Sequence, residues 1–191
     1  MAMQIRDSWS EGFVLDFHTL SSEFLGYDAY GHPQFDTQYT EVGKLLHTLK
    51  YKSDRLALSK LVAIAVAFIR KWNPPVEAIV PVPASQQRSV QPVQELAGRI
   101  AESLNKALLN AVRHKRSSKP MKDVQDDAER ARLLKDACLV TGDEVRGKNI
   151  LLIDDLYRSG ATLSAVTNAL VQDGKAKAVY VFAFTRTRTN R

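Results

Sequence analysis

The chain has 191 residues, of which 45% are hydrophobic, and this suits one domain with a real core and room for a small appendage. No apolar run reaches the length of a membrane span, and residues 1–10 contain no signal-peptide core, so we expect a cytoplasmic protein without a membrane partner. The formal net charge of +6 fits anionic ligands and also nucleic acid, and it does not decide between them.

The single cysteine, Cys138, excludes an intrachain disulfide and a cysteine-rich zinc site. Its neighbours in the sequence are apolar. We therefore expect a buried core thiol rather than a nucleophile.

The first 39 residues are rich in aromatic side chains and turn-forming residues. Phe13, Leu15 and Phe17 occur at alternate positions, and the Gly31-His32-Pro33 segment marks a turn, which is typical of short strands or a hairpin. We predict a β-rich arm over residues 1–39. Its aromatic density favours packing against the main domain or against a second subunit, and the latter would make a homodimer.

From residue 40 to residue 72, apolar residues recur at helical spacing. The polar break at residues 52–54 predicts two helices, the second capped by Ser53 or Asp54, and Asn73-Pro74-Pro75 should end it. The Lys50-Tyr51-Lys52 segment should lie in the turn between the helices. It is either solvated surface or close enough to reach a pyrophosphate group.

Four apolar stretches alternate with helical stretches over residues 40–191, and we predict that they are strands. They are residues 78–83, 137–141, 149–154 and 178–184. Continuous apolar runs are typical of strands buried on both faces, so the pattern predicts one α/β domain with a doubly wound, mainly parallel sheet. Right-handed crossovers should bring the loops after Pro83 and Asp155 to one edge of the sheet.

The most informative stretch joins strand 149–154 to the helix predicted from Ala161 to Val171. Asp154 and Asp155 should stand at the carboxyl edge of the sheet, where open α/β folds bind ligands. The loop that follows offers backbone N–H groups at a helix start, two hydroxyls and a glycine, which together make an anion cradle.

Two carboxylates beside such a cradle would repel a bare anion. They suit a ligand that also carries hydroxyl groups or a divalent cation, and a sugar phosphate with Mg²⁺ has both. The alternative is that the two aspartates merely end the strand and Ser159 caps the helix.

The run from Leu151 to Thr162 resembles the phosphoribosyl pyrophosphate (PRPP) motif of type I phosphoribosyltransferases, with four apolar residues, two acids and a short loop that ends Ser-Gly-x-Thr. This resemblance implies that Asp154 and Asp155 are catalytic, accept the ribose hydroxyls, and hold Mg²⁺ directly or indirectly. It also implies a loop that binds the 5′-phosphate, formed by Arg158, Ser159, Gly160, Ala161 and Thr162.

The same resemblance assigns two further segments. The loop after the first core strand should bind pyrophosphate through Ser85, Gln86, Gln87 and Arg88. The polar stretch at about residues 114–134 should be a mobile hood over PRPP, with cations from Arg113, Lys119, Lys122 and Arg130. The alternatives are a surface charge at Arg88 and a disordered surface loop in place of the hood. The basic tail at residues 186–191 should be a frayed end.

Within that superfamily the chain is similar to the competence protein ComF family. The similarity rests on Leu49-Lys50-Tyr51, on Pro81-Val82-Pro83, on Arg88, on Arg113 with the polar loop after it, and on the PRPP motif. Two segments depart from the family pattern, namely residues 88–92 and residues 130–133, and the family's cysteine-rich zinc module has no counterpart.

The resemblance implies a Mg²⁺-dependent enzyme that transfers the phosphoribosyl group of PRPP to an acceptor and releases pyrophosphate. In 6-oxopurine salvage enzymes the residue before the Ser-Gly pair is an aspartate, whereas here it is Arg158, which cannot act as a base at neutral pH. Hypoxanthine and guanine are therefore not expected as acceptors, and the acceptor stays open.

A second hypothesis is a PRPP-binding or competence accessory protein that performs no transfer and serves DNA uptake. Its motivation is the departure at residues 88–92 and the basic charge. Binding of nucleic acid is an option that we do not favour, because the cations of residues 113–132 are interleaved with acids and lack aromatic platforms.

Overall fold

The computed structural model describes residues 2–84, 91–115 and 138–188. In chain order the elements are β1 (Met3–Ile5), β2 (Glu11–Phe17), β3 (Thr19–Tyr27), β4 (Pro33–Tyr39), α1 (Glu41–Lys52), α2 (Arg55–Trp72), β5 (Ala78–Pro81), α3 (Pro92–Leu104), β6 (Ala107–Leu108), β7 (Val112–His114), β8 (Cys138–Val140), β9 (Asn149–Tyr157), α4 (Ala161–Gln172) and β10 (Ala178–Arg186).

A six-stranded sheet in the order β1-β2-β10-β9-β5-β6 forms the centre of the molecule. Every neighbouring pair in it is parallel except β1 with β2. Helices α1, α2 and α3 cover one face and α4 covers the other. The predicted doubly wound, mainly parallel α/β fold is confirmed.

Strand β9 shows why the sheet is buried on both faces. Its four residues from Ile150 to Ile153 are fully buried. Ile150 and Leu152 pack in the cluster that contains α4, whereas Leu151 and Ile153 pack in the cluster that contains α1, α2 and α3. A continuous apolar run is what such a strand requires.

The first 39 residues divide between two sheets. Strand β2 joins the main sheet because it pairs with β10, and Phe13 packs its ring 5.0 Å from that of Trp72 on α2. Strands β3 and β4 form a separate two-stranded hairpin. Phe24 and Phe35 lie opposite each other in that hairpin and are both more than half exposed.

The two helices after the hairpin begin and end close to the predicted residues. Thr40 caps α1 and Asp54 caps α2, where its carboxylate accepts hydrogen bonds from the backbone of Leu56 and Ala57. Asn73 ends α2 with left-handed backbone, ahead of the two prolines. No helix in the described residues is long and apolar enough to cross a membrane.

Four sequence-based bounds need correction. Residues 50–52 form the last turn of α1, since its left-handed end falls at Ser53. Stretch 137–141 contributes β8, which pairs with β7 in a ribbon outside the main sheet. Strand β9 continues through the aspartates to Tyr157, because its pairing with β10 continues to that residue.

The fourth correction concerns the end of the chain. Strand β10 extends to Arg186, and the side chain of Arg188 is hydrogen-bonded to the carbonyl of Thr19, so these two residues of the basic tail are not frayed. Cys138 is buried, with 2% of its surface exposed, as predicted. Most of the predicted hood, residues 116–134, lies outside the described residues.

Candidate functional site

A cavity of about 480 Å³ opens at the carboxyl ends of β5 and β9. Its lining includes both aspartates and the whole loop from Arg158 to Thr162, as the sequence motif predicts. The other polar side chains in the lining are Lys50, Gln91, Gln94, His114 and Tyr157. The cavity thus combines acidic, basic and uncharged polar groups at one sheet edge.

Asp154 and Asp155 are the acidic part of this lining. The pKa of Asp154 is raised to about 8. Burial is the largest cause and the charge of Asp155 is the second, while the Lys50 ammonium lowers the pKa. The Asp154 carboxyl group also accepts a 2.9 Å hydrogen bond from the backbone N–H of Asp155. The raised pKa means that the two aspartates together carry less negative charge near neutral pH than two ordinary aspartates would.

The loop before α4 needs its glycine. Gly160 is the N-cap residue of α4 and has a left-handed backbone with φ of +82°. A Cβ atom there would lie 3.0 Å from the hydroxyl oxygen of Tyr157. Ser159 precedes the cap, and its hydroxyl is 3.5 Å from the N–H of Ala161, which is too long for a strong bond. Ser159 is thus not the helix cap, and its hydroxyl remains available to a ligand.

Two further cavity residues come from elements far from the PRPP motif in the sequence. His114 on β7 donates from Nε2 to the carbonyl of Pro83 at 3.0 Å, and the pairing of β7 with β8 places it there. Lys50 reaches the cavity from the last turn of α1. Of the two options for the Lys50-Tyr51-Lys52 segment, the position of Lys50 at the cavity fits the second, whereas no pattern in the sequence pointed to His114.

A second residue to which no sequence pattern pointed is His18, just after β2. The Thr185 hydroxyl donates to the carbonyl of Asp155 at 3.1 Å, so His18 must donate from Nδ1 to that hydroxyl, at 3.0 Å. Burial lowers the pKa of His18, against the opposing effect of Asp155. The neutral ring is therefore fixed in one tautomer and anchors the backbone of Asp155.

The remaining predicted residues are not brought to the cavity by the described structure. Arg113 is exposed on β7, and its neighbour His114 lines the cavity instead. The predicted pyrophosphate residues Ser85, Gln86, Gln87 and Arg88 lie outside the described residues, as do Lys119, Lys122 and Arg130 of the predicted hood.

The donor set limits how Mg²⁺ fits. In the described part of the chain, no three His, Cys, Asp or Glu side chains gather as a metal site. Mg²⁺ commonly uses only one or two carboxylates, with the phosphates of a substrate and water as its other ligands. Asp154 and Asp155 fit a Mg²⁺ ion that arrives with a phosphorylated ligand, rather than a cage built by the protein.

Solved structures define the class of fold. Adenine phosphoribosyltransferase from Trypanosoma brucei, solved with AMP, pyrophosphate and ribose 5-phosphate, matches 98% of this chain and 86% of its own with a TM-score of 0.52 and 13% identity. The corresponding enzyme from Leishmania tarentolae matches 97% of this chain and 94% of its own, with a TM-score of 0.50 and 11% identity. The chain has the type I phosphoribosyltransferase fold.

The sequence comparison is narrower. No family model matches the chain. Competence protein ComFC of Bacillus subtilis (strain 168) is 32% identical over 109 residues, which are 56% of this chain and 44% of ComFC. The chain thus spans less than half the length of that relative. The chain is thus similar to ComFC over those 109 residues and has the type I phosphoribosyltransferase fold, in agreement with the resemblance seen in the sequence.

Proposed function

We propose that this chain binds Mg-PRPP in the cavity at the carboxyl ends of β5 and β9, transfers its phosphoribosyl group to an acceptor and releases pyrophosphate. The observation that carries the proposal is the juxtaposition of the Asp154-Asp155 pair with the loop 158–162 on one cavity. A sugar phosphate needs both parts. Its hydroxyl groups donate hydrogen bonds to carboxylates, whereas its phosphate accepts hydrogen bonds from N–H and O–H groups.

The loop 158–162 would bind the 5′-phosphate of PRPP. The first N–H groups of α4 have no partners within the helix, and they form the positive end of its dipole. The hydroxyls of Ser159 and Thr162 add donors, and Gly160 lets the backbone approach the phosphate closely. Lys50 and, by resemblance, Arg88 and the hood cations would contact the pyrophosphate end.

The aspartates would act on the ribose. Departure of pyrophosphate leaves positive charge on the ribose ring, and carboxylates beside the ring stabilise that charge. The raised pKa of Asp154 favours one shared proton on the pair, so that one carboxyl group can donate to a ribose hydroxyl while the other keeps the negative charge that stabilises the ring. When bound, Mg²⁺ would neutralise charge on the leaving pyrophosphate.

The acceptor is constrained by Arg158, which is exposed and lines the cavity. A guanidinium cannot take a proton from a purine at neutral pH, so we propose an acceptor other than hypoxanthine or guanine. A second candidate function is PRPP binding without transfer, or service in competence. The similarity to ComFC and the altered sequence of residues 88–92 favour it.

Isothermal titration calorimetry with Mg-PRPP tests the site. We expect the single variant Asp155→Asn to weaken binding of Mg-PRPP about tenfold or more, and likewise the double variant Asp154→Asn/Asp155→Asn. Each variant replaces a carboxylate that accepts hydrogen bonds from the ribose with an uncharged amide. Asp143→Asn is the matched control, since Asp143 is exposed on a turn and pairs with Arg146. Unchanged affinity in the double variant would refute the site.

Pyrophosphate release separates the two candidate functions. The wild-type chain is supplied with Mg-PRPP and a panel of nucleobases, small amines and ammonia. Steady release that depends on one acceptor and is lost in the double variant identifies a transferase. Binding without release for any acceptor favours the non-catalytic candidate, and efficient hypoxanthine turnover would overturn the argument from Arg158.

A further inference from the structure

Two arginines at the end of the last strand stack on aromatic rings beside the cavity. Arg186, Phe17 and Tyr157 are level with one another on three neighbouring strands. The Arg186 guanidinium lies 5.9 Å from the ring centre of Phe17 and 5.6 Å from that of Tyr157. Arg188 lies 4.5 Å from the ring centre of Phe17 and donates from Nε to the carbonyl of Thr19 at 3.0 Å.

These guanidinium groups lack anionic partners. Within residues 2–84, 91–115 and 138–188, neither has a carboxylate at ion-pair distance, and the buried Nε of Arg186 has no hydrogen-bond partner. Three surface arginines in the same ranges do pair with carboxylates, namely Arg55, Arg99 and Arg146. An unpaired buried donor on a cation is unfavourable, and an anion on the terminal nitrogens of the same guanidinium group would offset the charge that has no partner within the chain.

Tyr157 connects the arginine pair to the cavity. It lines the cavity, and its ring packs directly against Gly160 of the phosphate loop. Arg186 belongs to β10, the strand next to β9, and its guanidinium group lies against the ring of Tyr157. An anion at the arginine pair and a 5′-phosphate at the loop would therefore occupy neighbouring but separate places.

We propose that Arg186 and Arg188 form a second anion-binding subsite, which holds a carboxylate or phosphate group of the acceptor next to the phosphoribosyl donor. This inference rests on the proposed function and makes the acceptor a small anionic molecule rather than a neutral nucleobase. A guanidinium can donate to two oxygens of one carboxylate or phosphate. Stacking on Phe17 and Tyr157 fixes the plane of the Arg186 group before the anion arrives.

A purely structural reading is that the stack only joins strands β2, β10 and β9. The test uses the full chain labelled with ¹⁵N, in the presence of Mg-PRPP, and follows the arginine Nε–H signals by NMR. Arg186→Lys and Arg186→Gln assign the Arg186 signal. The probes are nicotinate, its uncharged isostere nicotinamide, and inorganic phosphate, so that shape and charge are separated.

We expect nicotinate or phosphate to shift the Arg186 Nε–H signal and nicotinamide to leave it in place. Arg186→Gln should weaken binding of the effective anion about tenfold, as for loss of a charge-assisted hydrogen bond. Arg99→Gln, on the exposed face of α3, is the matched control and should leave that affinity unchanged. Both variants should bind Mg-PRPP like the wild type.

Equal shifts with nicotinamide would overturn the inference. No shift with either anion, up to the highest anion concentration at which the protein stays dissolved, would overturn it too. A shift produced only by a single-stranded oligonucleotide would overturn it as well, and would assign the pair to nucleic acid. Calorimetry with Mg-PRPP on the same samples keeps the two proposals apart, because loss of PRPP binding contradicts the proposed function whatever the arginine signals show.

Discussion

The raised pKa of Asp154 makes the stability of the folded chain depend on pH. Its carboxyl group is partly buried in β9 beside a second carboxyl group, and its pKa in the folded chain is about 8, against 3.8 for an ordinary aspartate. Between these two values the folded chain binds a proton that the unfolded chain has released. Stability therefore falls as the pH rises through this range, and the loss is complete above it.

We predict that Asp154→Asn removes this loss in the ligand-free protein. Asparagine is uncharged at every pH, and its side-chain oxygen can still accept the hydrogen bond from the N–H of Asp155. The melting temperature of the variant should exceed that of the wild type near pH 8, and the difference should shrink towards pH 4. Circular dichroism melts over this range measure it.

Asp143→Asn serves as the control, because Asp143 is exposed and its replacement should not change the pH dependence. A variant at position 154 that keeps the wild-type slope of melting temperature against pH would contradict the assignment of the raised pKa to Asp154.

Residues of the site could be predicted where they are neighbours in the sequence. The two aspartates and the loop 158–162 stand within nine positions of each other, so their pattern is local. Packing of distant elements brings Lys50 and His114 to the cavity, so the sequence left two options open for Lys50 and gave no indication of His114. Arg186 was expected to belong to a frayed tail, because stacking on Phe17 depends on the pairing of β2 with β10.

At the scale of elements, the junction between β2 and α1 positions Lys50. The Thr40 hydroxyl donates to the carbonyl of Phe17 at 2.6 Å and accepts from the N–H of Gly43 at 3.0 Å. A Cβ atom on Gly43 would lie 1.9 Å from the carbonyl oxygen of His18. The glycine thus allows α1 to begin directly against the end of β2.

We predict that Gly43→Ala destabilises the chain by about 3 kcal/mol, because α1 must move away from the backbone of His18. Gly98→Ala is the matched control within α3. Its added Cβ would lie 3.7 Å from Leu108, an ordinary contact, so it should be neutral or stabilise by about 0.5–1 kcal/mol. Urea unfolding measures both changes, and equal effects of the two substitutions would contradict this account.

The ends of helices were predicted better than the partners of strands, and the reason is physical. Caps such as Asp54 and stops such as Asn73 act within a few residues, so they are visible in the sequence. Strand pairing joins distant residues. The placement of β8 with β7, and the extension of β9 along β10 to Tyr157, depend on partners that a single stretch of sequence does not show.

At the scale of the whole molecule, charge and aromatic surface are unevenly divided. The hairpin of β3 and β4 contains Glu23, Asp28 and Asp36 and no Lys or Arg, so the excess positive charge belongs to the rest of the chain. The ring of Phe24 lies 5.5 Å from that of Phe35, and both are exposed. The homodimer remains a prediction, and this hairpin is the surface on which it depends.

Binding of Mg-PRPP should be visible in the stability of the whole chain. A ligand at one hundred times its dissociation constant stabilises the folded state by about 2.7 kcal/mol. For a domain of roughly this size, 1 kcal/mol corresponds to about 2–4 °C, so we expect the melting temperature to rise by about 5–10 °C.

Mg-pyrophosphate should produce a smaller shift, because it does not engage the 5′-phosphate loop or the aspartates. A short single-stranded oligonucleotide should produce none, and Asp155→Asn should reduce the effect of Mg-PRPP. Equal shifts with Mg-PRPP and Mg-pyrophosphate would show a general response to polyanions and contradict a site that selects the phosphoribosyl group.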